Sequence, residues 1–296
     1  MRLVLALPGS EAFAAKLSAA TGAQLGRLEL RRFPDGEHYV RLLDDPAGRV
    51  VDVVCSLTRV DEVFLSLIFA ADTARELGAN GVNLVAPYLG YMRQDKRFHP
   101  GEAISSTSFA RLVAGSFDRL ITVDPHLHRY GRLSELYAIP NVVLHAAPLL
   151  SRWIRETVAN PLVIGPDAES EQWAASVAAD AGAPHTVLSK ERFGDRDVRI
   201  TFPDLSSYRG RRPVLIDDIA SSGRTLVAAA QQLRSLGFPP PDCAVIHAIF
   251  AGEAFAEVSA VAGRVVSTDS VPHPSNALPL AHLVAAALAE PGGAEG

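Results

Sequence analysis

Short runs of valine, leucine and isoleucine recur along the 296-residue chain, and longer stretches rich in alanine and leucine separate many of them. The short runs are nearly continuous in apolar residues, which is typical of parallel strands covered by helices on both faces. This pattern predicts an α/β fold with right-handed crossover connections. The predicted strands are Arg2–Leu7, Val50–Cys55, Val82–Ala86, Leu120–Val123, Leu162–Ile164, Val214–Ile216 and Ala244–Ile249.

Two of the predicted helices have clear ends in the sequence. Glu62–Leu77 has helical periodicity and is followed by Gly78, and Gly223–Leu236 begins directly after a strand and is followed by Gly237. Glycine after the last periodic residue is a common helix stop. Because ligands bind at the carboxyl ends of strands in open α/β sheets, we expect a binding loop just before the second helix.

Composition narrows the class of protein. A hydrophobic content of 48% supports a sizeable core, and the formal charge of -5 leaves no basic field to gather nucleic acid. The apolar start ends at Pro8, too early for a signal peptide, and no apolar run approaches the roughly 20 residues that cross a bilayer. We expect a cytoplasmic protein with neither nucleic-acid nor membrane partners, in which Cys55 and Cys243 are buried and reduced.

The segment Val214–Leu226 reads VLIDDIASSGRTL and is the strongest candidate site. A strand delivers Asp217 and Asp218, and small residues then lead into a helix whose first backbone N–H groups can hold a phosphate. The acidic pair is suited to sugar hydroxyls, directly or through a cation. A helix-capping turn is the structural alternative. The candidate phosphate-binding residues are Ser221, Ser222, Gly223, Arg224 and Thr225.

Two further segments carry residues suited to a nucleotide. In FPDGEHYVRL, Phe33 can stack on a purine, and Asp35 and Glu37 can accept hydrogen bonds, although PDGE alone is also a good turn. In PYLGYMRQDKRF, Arg93 offers a planar fork to phosphates and Gln94 a donor and an acceptor to a base, although a charged surface loop is the alternative.

A third segment, ITVDPHLHRY, is an apolar strand that ends in Asp124 and His126. A carboxylate and an imidazole at this end of a strand can bind a hydrated magnesium ion and orient phosphates. His128 has no comparable support and is expected to be a polar surface residue.

Together, these segments resemble the ribose-phosphate pyrophosphokinase family, with some archaeal-type features, and they occur in the family's order along nearly the whole chain. The resemblance implies an α/β fold of two similar phosphoribosyltransferase-like domains, each a mostly parallel sheet flanked by helices. The implied domains are residues 1–145 plus 276–296 on the ATP side and residues 146–275 for ribose 5-phosphate.

The resemblance also implies residue roles. Arg93, Gln94 and Asp95 match the family's RQD triplet, which binds ATP together with Phe33, Asp35, Glu37 and His126. Asp167 matches an aspartate near magnesium and the ribose, so the implied Mg²⁺ set is Asp124, His126 and Asp167. Lys190 and Arg192 match two catalytic cations on a closing loop, and their spacing places them on one side of an extended segment. The Phe33–Glu37 loop would serve a neighbouring subunit, which implies at least a homodimer.

The implied reaction transfers the β,γ-diphosphoryl group of ATP to the anomeric hydroxyl of ribose 5-phosphate. Some residues depart from the family pattern: Glu169 and Ser170 stand where many members have glycines, Ser221 where many have aspartate, and Arg224 where glycine is frequent. Three alternatives therefore stay open: a different ribosyl 5-phosphate acceptor, a type I phosphoribosyltransferase, and a non-catalytic regulatory homologue.

Overall fold

A computed structural model describes residues 1–127, 129–167, 170–192 and 198–290, with side chains described outside 190–192 and 198–201. Its contacts divide the chain into two compact units. The first unit comprises Met1–Leu144, Ser270–Pro272 and the chain from Leu280 onward, and the second comprises His145–Asp269 and His273–Pro279.

The first unit contains a parallel sheet of six strands in the order β2-β1-β5-β6-β7-β8 and an antiparallel hairpin, β3–β4. Its strands are β1 (Arg2–Ala6), β2 (Gln24–Leu25), β3 (Leu28–Arg32), β4 (His38–Leu42), β5 (Val50–Val54), β6 (Gly81–Ala86), β7 (Arg119–Val123) and β8 (Asn141–Leu144). Its first three helices are α1 (Glu11–Thr21), α2 (Val60–Glu76) and α3 (Ser105–Ser116). The apolar residues at the centres of β1, β5, β6 and β7 are buried, as continuous runs require.

The second unit repeats this plan with a parallel sheet in the order β10-β9-β13-β14-β15-β16 and an antiparallel pair, β11–β12. Its strands are β9 (Pro161–Gly165), β10 (His185–Val187), β11 (Ser189–Arg192), β12 (Val198–Thr201), β13 (Arg212–Ala220), β14 (Asp242–Ala248), β15 (Arg264–Thr268) and β16 (Asn276–Leu278). Its helices are α4 (Ala147–Thr157), α5 (Glu171–Ala181), α6 (Arg224–Ser235) and α7 (Ala254–Val261). The predicted fold class is confirmed.

The chain then returns to the first unit as α8 (Ala281–Ala289). Arg2 donates to the fully buried Asp52 at 2.8 Å and to the Leu288 carbonyl at 2.6 Å, and Arg119 donates to a second carbonyl in the last turn of α8. A guanidinium at a helix C-terminus satisfies carbonyls that have no partner within the helix. These contacts fix the returning helix to the first sheet.

The proposed domain limits stay a prediction, and the contacts divide the chain differently at residue 145 and between residues 270 and 279. The sequence interpretation placed the return to the first domain at residue 276, whereas His273–Pro279 lies with the second unit. The physical reason is strand β16, which pairs with the edge strand β15 and thereby extends the second sheet by one strand.

Both cysteines are buried and unpaired, as predicted. Burial raises the pKa of the Cys55 thiol and of the Cys243 thiol to about 12, which makes both unreactive near neutral pH. Among the described residues, no helix has the length and apolar character that crossing a bilayer requires.

Candidate active site

The predicted phosphate loop lies between β13 and α6. Gly223 has a φ of +67°, and a Cβ atom built there would be 2.8 Å from Cγ2 of Val258 on α7. Only glycine satisfies both the left-handed backbone and the close approach of α7. The chain therefore makes a tight turn directly into the N-terminus of α6, as an anion-binding loop requires.

The loop that follows β14 donates backbone hydrogen bonds to the start of the phosphate loop. The N–H groups of Ile249 and Phe250 both donate to the Ala220 carbonyl, at 3.0 and 2.9 Å, and the Ala251 N–H donates to the Ser221 carbonyl at 2.9 Å. These bonds use the carbonyls of the last residue of β13 and the first residue of the phosphate loop, and so fix the backbone where the loop begins. The sequence interpretation did not identify this supporting loop.

Three predicted acidic residues meet beside the phosphate loop. Asp217 and Asp218 lie near the end of β13, which pairs with β9, and Asp167 follows β9. Withdrawal from water, followed by the negative charges of Asp218 and Asp167, raises the pKa of Asp217 well above its usual value. Such mutual repulsion is relieved when a cation or hydroxyl donors approach. Within the described part of the chain, however, no group of three His, Cys, Asp or Glu side chains is arranged to hold a metal ion by itself.

Ser170 folds back onto Asp167. The Ser170 hydroxyl donates to the Asp167 carbonyl at 2.7 Å, and the Ser170 N–H donates to Asp167 Oδ1 at 3.1 Å. The hydroxyl oxygen lies only 2.8 Å from where a Cβ on Gly165 would stand, so Gly165 makes room for it. This substitution for glycine therefore orients a site carboxylate. Glu169 lies outside the described residues.

Lys190 and Arg192 lie on β11, in register with Ile200 and Val198 of β12. Their placement on one side of the chain stays a prediction from their spacing. Their side chains and the tip of the hairpin lie outside the described part of the chain.

Phe33, Asp35 and Glu37 form the tip of the β3–β4 hairpin in the first unit. The Phe33 N–H donates to the Glu37 carbonyl at 2.8 Å, and Asp35 accepts the Glu37 N–H at 3.2 Å. The Phe33 ring is 40% exposed, which leaves a face for a ligand. Arg31, which the sequence interpretation missed, places its guanidinium 3.9 Å from the Tyr39 ring centre and 4.8 Å from that of Phe33.

The loop with the RQD triplet follows β6 and is held at several points. A Cβ on Gly90 would lie 2.5 Å from the Leu57 carbonyl, so this glycine permits close approach to the start of α2. The Gln94 carbonyl accepts the Ser106 N–H at 3.3 Å. Asp95 is ion-paired with Arg129 at 3.4 Å, which the sequence interpretation did not anticipate.

Asp124 and His126 follow β7 in the first unit, and both are half-buried. Asp124 has a φ of +35°, an unfavourable backbone conformation for a residue with a side chain, and its N–H donates to the Leu144 carbonyl at 2.9 Å. Strain of this kind concentrates at functional sites. His128 lies outside the described residues.

The predicted residues thus fall into two sets. The first unit holds the candidate ATP residues and Asp124. The second holds the three carboxylates beside the phosphate loop, the phosphate loop itself and the two cations.

Known proteins match both parts of the chain. A family model described as the N-terminal domain of ribose phosphate pyrophosphokinase matches residues 2–116, and a phosphoribosyl transferase domain model matches residues 132–268. The fold is similar to that of a phosphoribosylpyrophosphate synthetase from Mycobacterium smegmatis, with a TM-score of 0.83 over 97% of both chains at 22% identity.

Curated relatives match over nearly the full length. The ribose-phosphate pyrophosphokinase of Methanopyrus kandleri is 35% identical over 97% of this chain and 98% of its own. That of Methanosarcina acetivorans is 32% identical over 95% of this chain and 97% of its own. With matched domains, a shared fold and these full-length relatives, the chain belongs to the ribose-phosphate pyrophosphokinase family.

Proposed function

We propose that this protein is a ribose-phosphate diphosphokinase that uses ATP and ribose 5-phosphate. The anomeric hydroxyl oxygen of ribose 5-phosphate forms a bond to the β-phosphorus of ATP and releases its proton. At the same time, the β-phosphorus loses its bond to the oxygen that bridges it to the α-phosphorus. The products are 5-phosphoribosyl 1-diphosphate and AMP. The observation that carries the proposal is the meeting of Asp167, Asp217 and Asp218 beside the phosphate loop.

The second unit would bind the acceptor. The turn at Gly223 and the N-terminus of α6 would hold the 5-phosphate through backbone N–H groups, with hydroxyls from Ser221, Ser222 and Thr225 and the Arg224 guanidinium beside them. Asp217 and Asp218 would accept hydrogen bonds from the ribose hydroxyls. Because the 5-phosphate and the ribose are held on one rigid strand–turn–helix, the anomeric hydroxyl is presented in a fixed direction.

The first unit would bind ATP. Phe33 would stack on the adenine, and Glu37 and Asp35 would accept hydrogen bonds from base or ribose. Arg93 and Gln94 would contact the phosphates and the base. Phosphoryl-type transfer is assisted mainly by positioning and by neutralising charge. Lys190 and Arg192 would stabilise the negative charge that develops as AMP leaves.

The residues present fit a magnesium ion. The raised pKa of Asp217 reflects loss of water and crowded negative charge, and Asp124 and His126 offer an oxygen and a nitrogen ligand at a strand end. We therefore propose that Asp124 and His126 contact Mg²⁺ bound with the ligand of the first unit, and that Asp167 contacts Mg²⁺ bound with the ligand of the second. When bound, Mg²⁺ supplies neutralisation of the phosphate charge.

We also propose that the protein is cytoplasmic and works as a homo-oligomer, at least a dimer. Support comes from the tip of the β3–β4 hairpin, where the large apolar residue Phe33 is 40% exposed. Light scattering of the purified protein tests the assembly, and a monomer that is active at all concentrations would contradict it.

One assay tests the proposed reaction against its alternatives. The protein is mixed with Mg-ATP and ribose 5-phosphate, and AMP and phosphoribosyl diphosphate are quantified by ³¹P nuclear magnetic resonance. We expect equal amounts of both products. AMP formed only with another ribosyl 5-phosphate compound would indicate a different acceptor. Consumption of phosphoribosyl diphosphate together with a base would indicate a phosphoribosyltransferase. No turnover at all would indicate a regulatory homologue.

A further inference from the structure

Asp95 is much less exposed to solvent than Arg93, the first residue of the RQD triplet. Arg93 is exposed, whereas only 9% of the Asp95 side chain is accessible. Asp95 Oδ1 lies 3.4 Å from Nε of Arg129, whose own side chain is 49% exposed. Arg129 belongs to the loop after β7 that also carries His126. This ion pair therefore joins two of the loops that carry candidate ATP residues in the first unit, the RQD loop and the His126 loop.

The charge of Asp95 has a consequence for ATP binding. A carboxylate inside a phosphate-binding segment repels a polyanionic ligand, and like charges about 4 Å apart near a protein surface repel by about 4 kcal/mol before salt screening. Burial of the Asp95 side chain limits its compensation by water. The Arg129 guanidinium supplies the compensating charge and also fixes the direction in which the carboxylate points.

Other contacts hold the RQD loop in its fold without Arg129. The Ser106 N–H donates to the Gln94 carbonyl at 3.3 Å. Further along the loop, the carboxylate of Glu102 accepts the N–H groups of Phe98 and His99 at 2.7 and 3.0 Å. None of these hydrogen bonds involves Arg129. We therefore expect the distinct contribution of Arg129 to be the positive charge that it places beside Asp95.

We propose that Arg129 is a positioning residue for ATP. It neutralises Asp95 and ties the Arg93–Asp95 segment to the His126 loop, so that Arg93 and Gln94 face the nucleotide in a fixed arrangement. Asp95 then acts through Arg129 and does not touch ATP. This inference rests on the proposed function, in which ATP is the diphosphoryl donor.

Calorimetric titration with Mg-ATP tests the inference on the full-length protein, alongside the Michaelis constant for ribose 5-phosphate and the melting temperature. We expect Arg129→Gln to weaken ATP binding by about tenfold and to leave the other two quantities unchanged. Arg129→Lys keeps the charge and should bind nearly as the wild type does. Arg132→Gln removes an exposed cation three residues away and serves as the matched control, with no change expected.

The double variant Asp95→Asn/Arg129→Gln gives the sharpest comparison. Without a carboxylate to compensate, it should recover most of the ATP affinity that Arg129→Gln loses. If Asp95→Asn alone weakens binding as much and the double variant recovers nothing, Asp95 contacts ATP directly and the inference is wrong. Unchanged affinity of Arg129→Gln for Mg-ATP would also overturn the inference. A folding defect in Arg129→Gln that Asp95→Asn corrects without any effect on ATP affinity would overturn it as well.

The inference can fail while the proposed function holds, because wild-type turnover is measured separately. A wild-type protein that makes AMP and phosphoribosyl diphosphate, combined with normal ATP binding by Arg129→Gln, removes only the role of Arg129. A wild-type protein that neither binds Mg-ATP nor forms AMP would overturn both.

Discussion

Asp217 and Asp242 lie on the adjacent strands β13 and β14, three residues apart in register, and their carboxylates have opposite electrostatic surroundings. Asp242 is fully buried between two guanidiniums, with Arg264 donating to it at 2.6 Å and Arg212 at 3.2 Å. Asp217 instead has Asp218 and Asp167 as charged neighbours, and its pKa is raised, first by withdrawal from water and then by those charges. The buried Asp242 carboxylate therefore stabilises the fold, whereas the half-buried Asp217 carboxylate destabilises it.

Asp217→Asn is expected to raise the melting temperature and to lower activity. A carboxyl with a raised pKa in the folded state is protonated more readily there than in the unfolded state, so ionisation at neutral pH reduces the free energy of unfolding. The neutral amide removes this penalty, and we expect a gain of about 2 °C or more. Turnover should fall because a ligand for the ribose is lost. Calorimetric melting and the AMP assay measure the two effects.

Asp242→Asn is the matched control on the neighbouring strand. Removing one partner of a buried, hydrogen-bonded ion pair leaves guanidinium charge uncompensated, which costs about 3 kcal/mol when the charges are well buried and less here because both arginines reach solvent. The melting temperature should therefore fall. A stability change of the same sign in both variants would contradict this electrostatic explanation.

Gly223→Ala should impair both folding and acceptor binding. The left-handed backbone costs an alanine about 1 kcal/mol, and the new Cβ would stand 2.8 Å from Val258, so the phosphate loop must shift. Gly237→Ala is the control, because Gly237 also has a positive φ, of +82°, but its nearest neighbour to a Cβ would be 3.9 Å away. We expect both variants to lose stability and only Gly223→Ala to raise the Michaelis constant for ribose 5-phosphate severalfold.

Much of the fold follows from the sequence because its strands are buried on both faces. The seven predicted apolar runs all became strands of the two parallel sheets. The β3–β4 hairpin was missing from that prediction because its strands are half-exposed and alternate in polarity. The Asp35–Gly36 dipeptide between them is a strong hairpin signal that, combined with this alternation, was sufficient to find it.

The site was predictable where a residue acts within a local segment and not where it acts across segments. The turn at Gly223 follows from the sequence of its own loop. The ion pair between Arg129 and Asp95 depends on two loops that only the sheet brings together, and an isolated arginine carries no local signal. Ser170 shows the same limit, since the sequence marked it only as a departure from the family's glycine, and its hydrogen bonds to Asp167 depend on the folded turn.

Lys190→Ala should lower kcat severely and leave the affinity for ribose 5-phosphate nearly intact. Loss of one charge-assisted contact made only in the transition state costs about 3 kcal/mol, or on the order of a hundredfold in rate. Glu191→Ala is the control on the same strand, because it removes the residue between the two proposed catalytic cations and leaves both cations in place. Single-turnover kinetics separate the chemical step from binding. Wild-type turnover in Lys190→Ala would remove the proposed role of this lysine.

His273 should make the second unit less stable at mildly acidic pH. Its ring packs against Phe250 and Phe255, with ring centres 5.0 and 4.5 Å apart, and burial lowers its pKa below the usual value. Its Nδ1 accepts the Ser275 N–H at 3.2 Å, a bond that requires the unprotonated nitrogen. The unfolded chain therefore takes up the proton first, and the contribution of His273 to stability is complete above about pH 6.5 and declines as the pH falls through that value.

Urea unfolding between pH 7.5 and 5.5 measures this effect. His273→Asn keeps an acceptor near the position of Nδ1 but cannot be protonated in this range, so its free energy of unfolding should fall less steeply with acidification than that of the wild type. Other titrating groups contribute equally to both proteins and cancel in the comparison. Parallel pH profiles for the two proteins would show that His273 is protonated as readily in the folded state as in the unfolded chain, contrary to the constraint that Phe250, Phe255 and Ser275 impose on it.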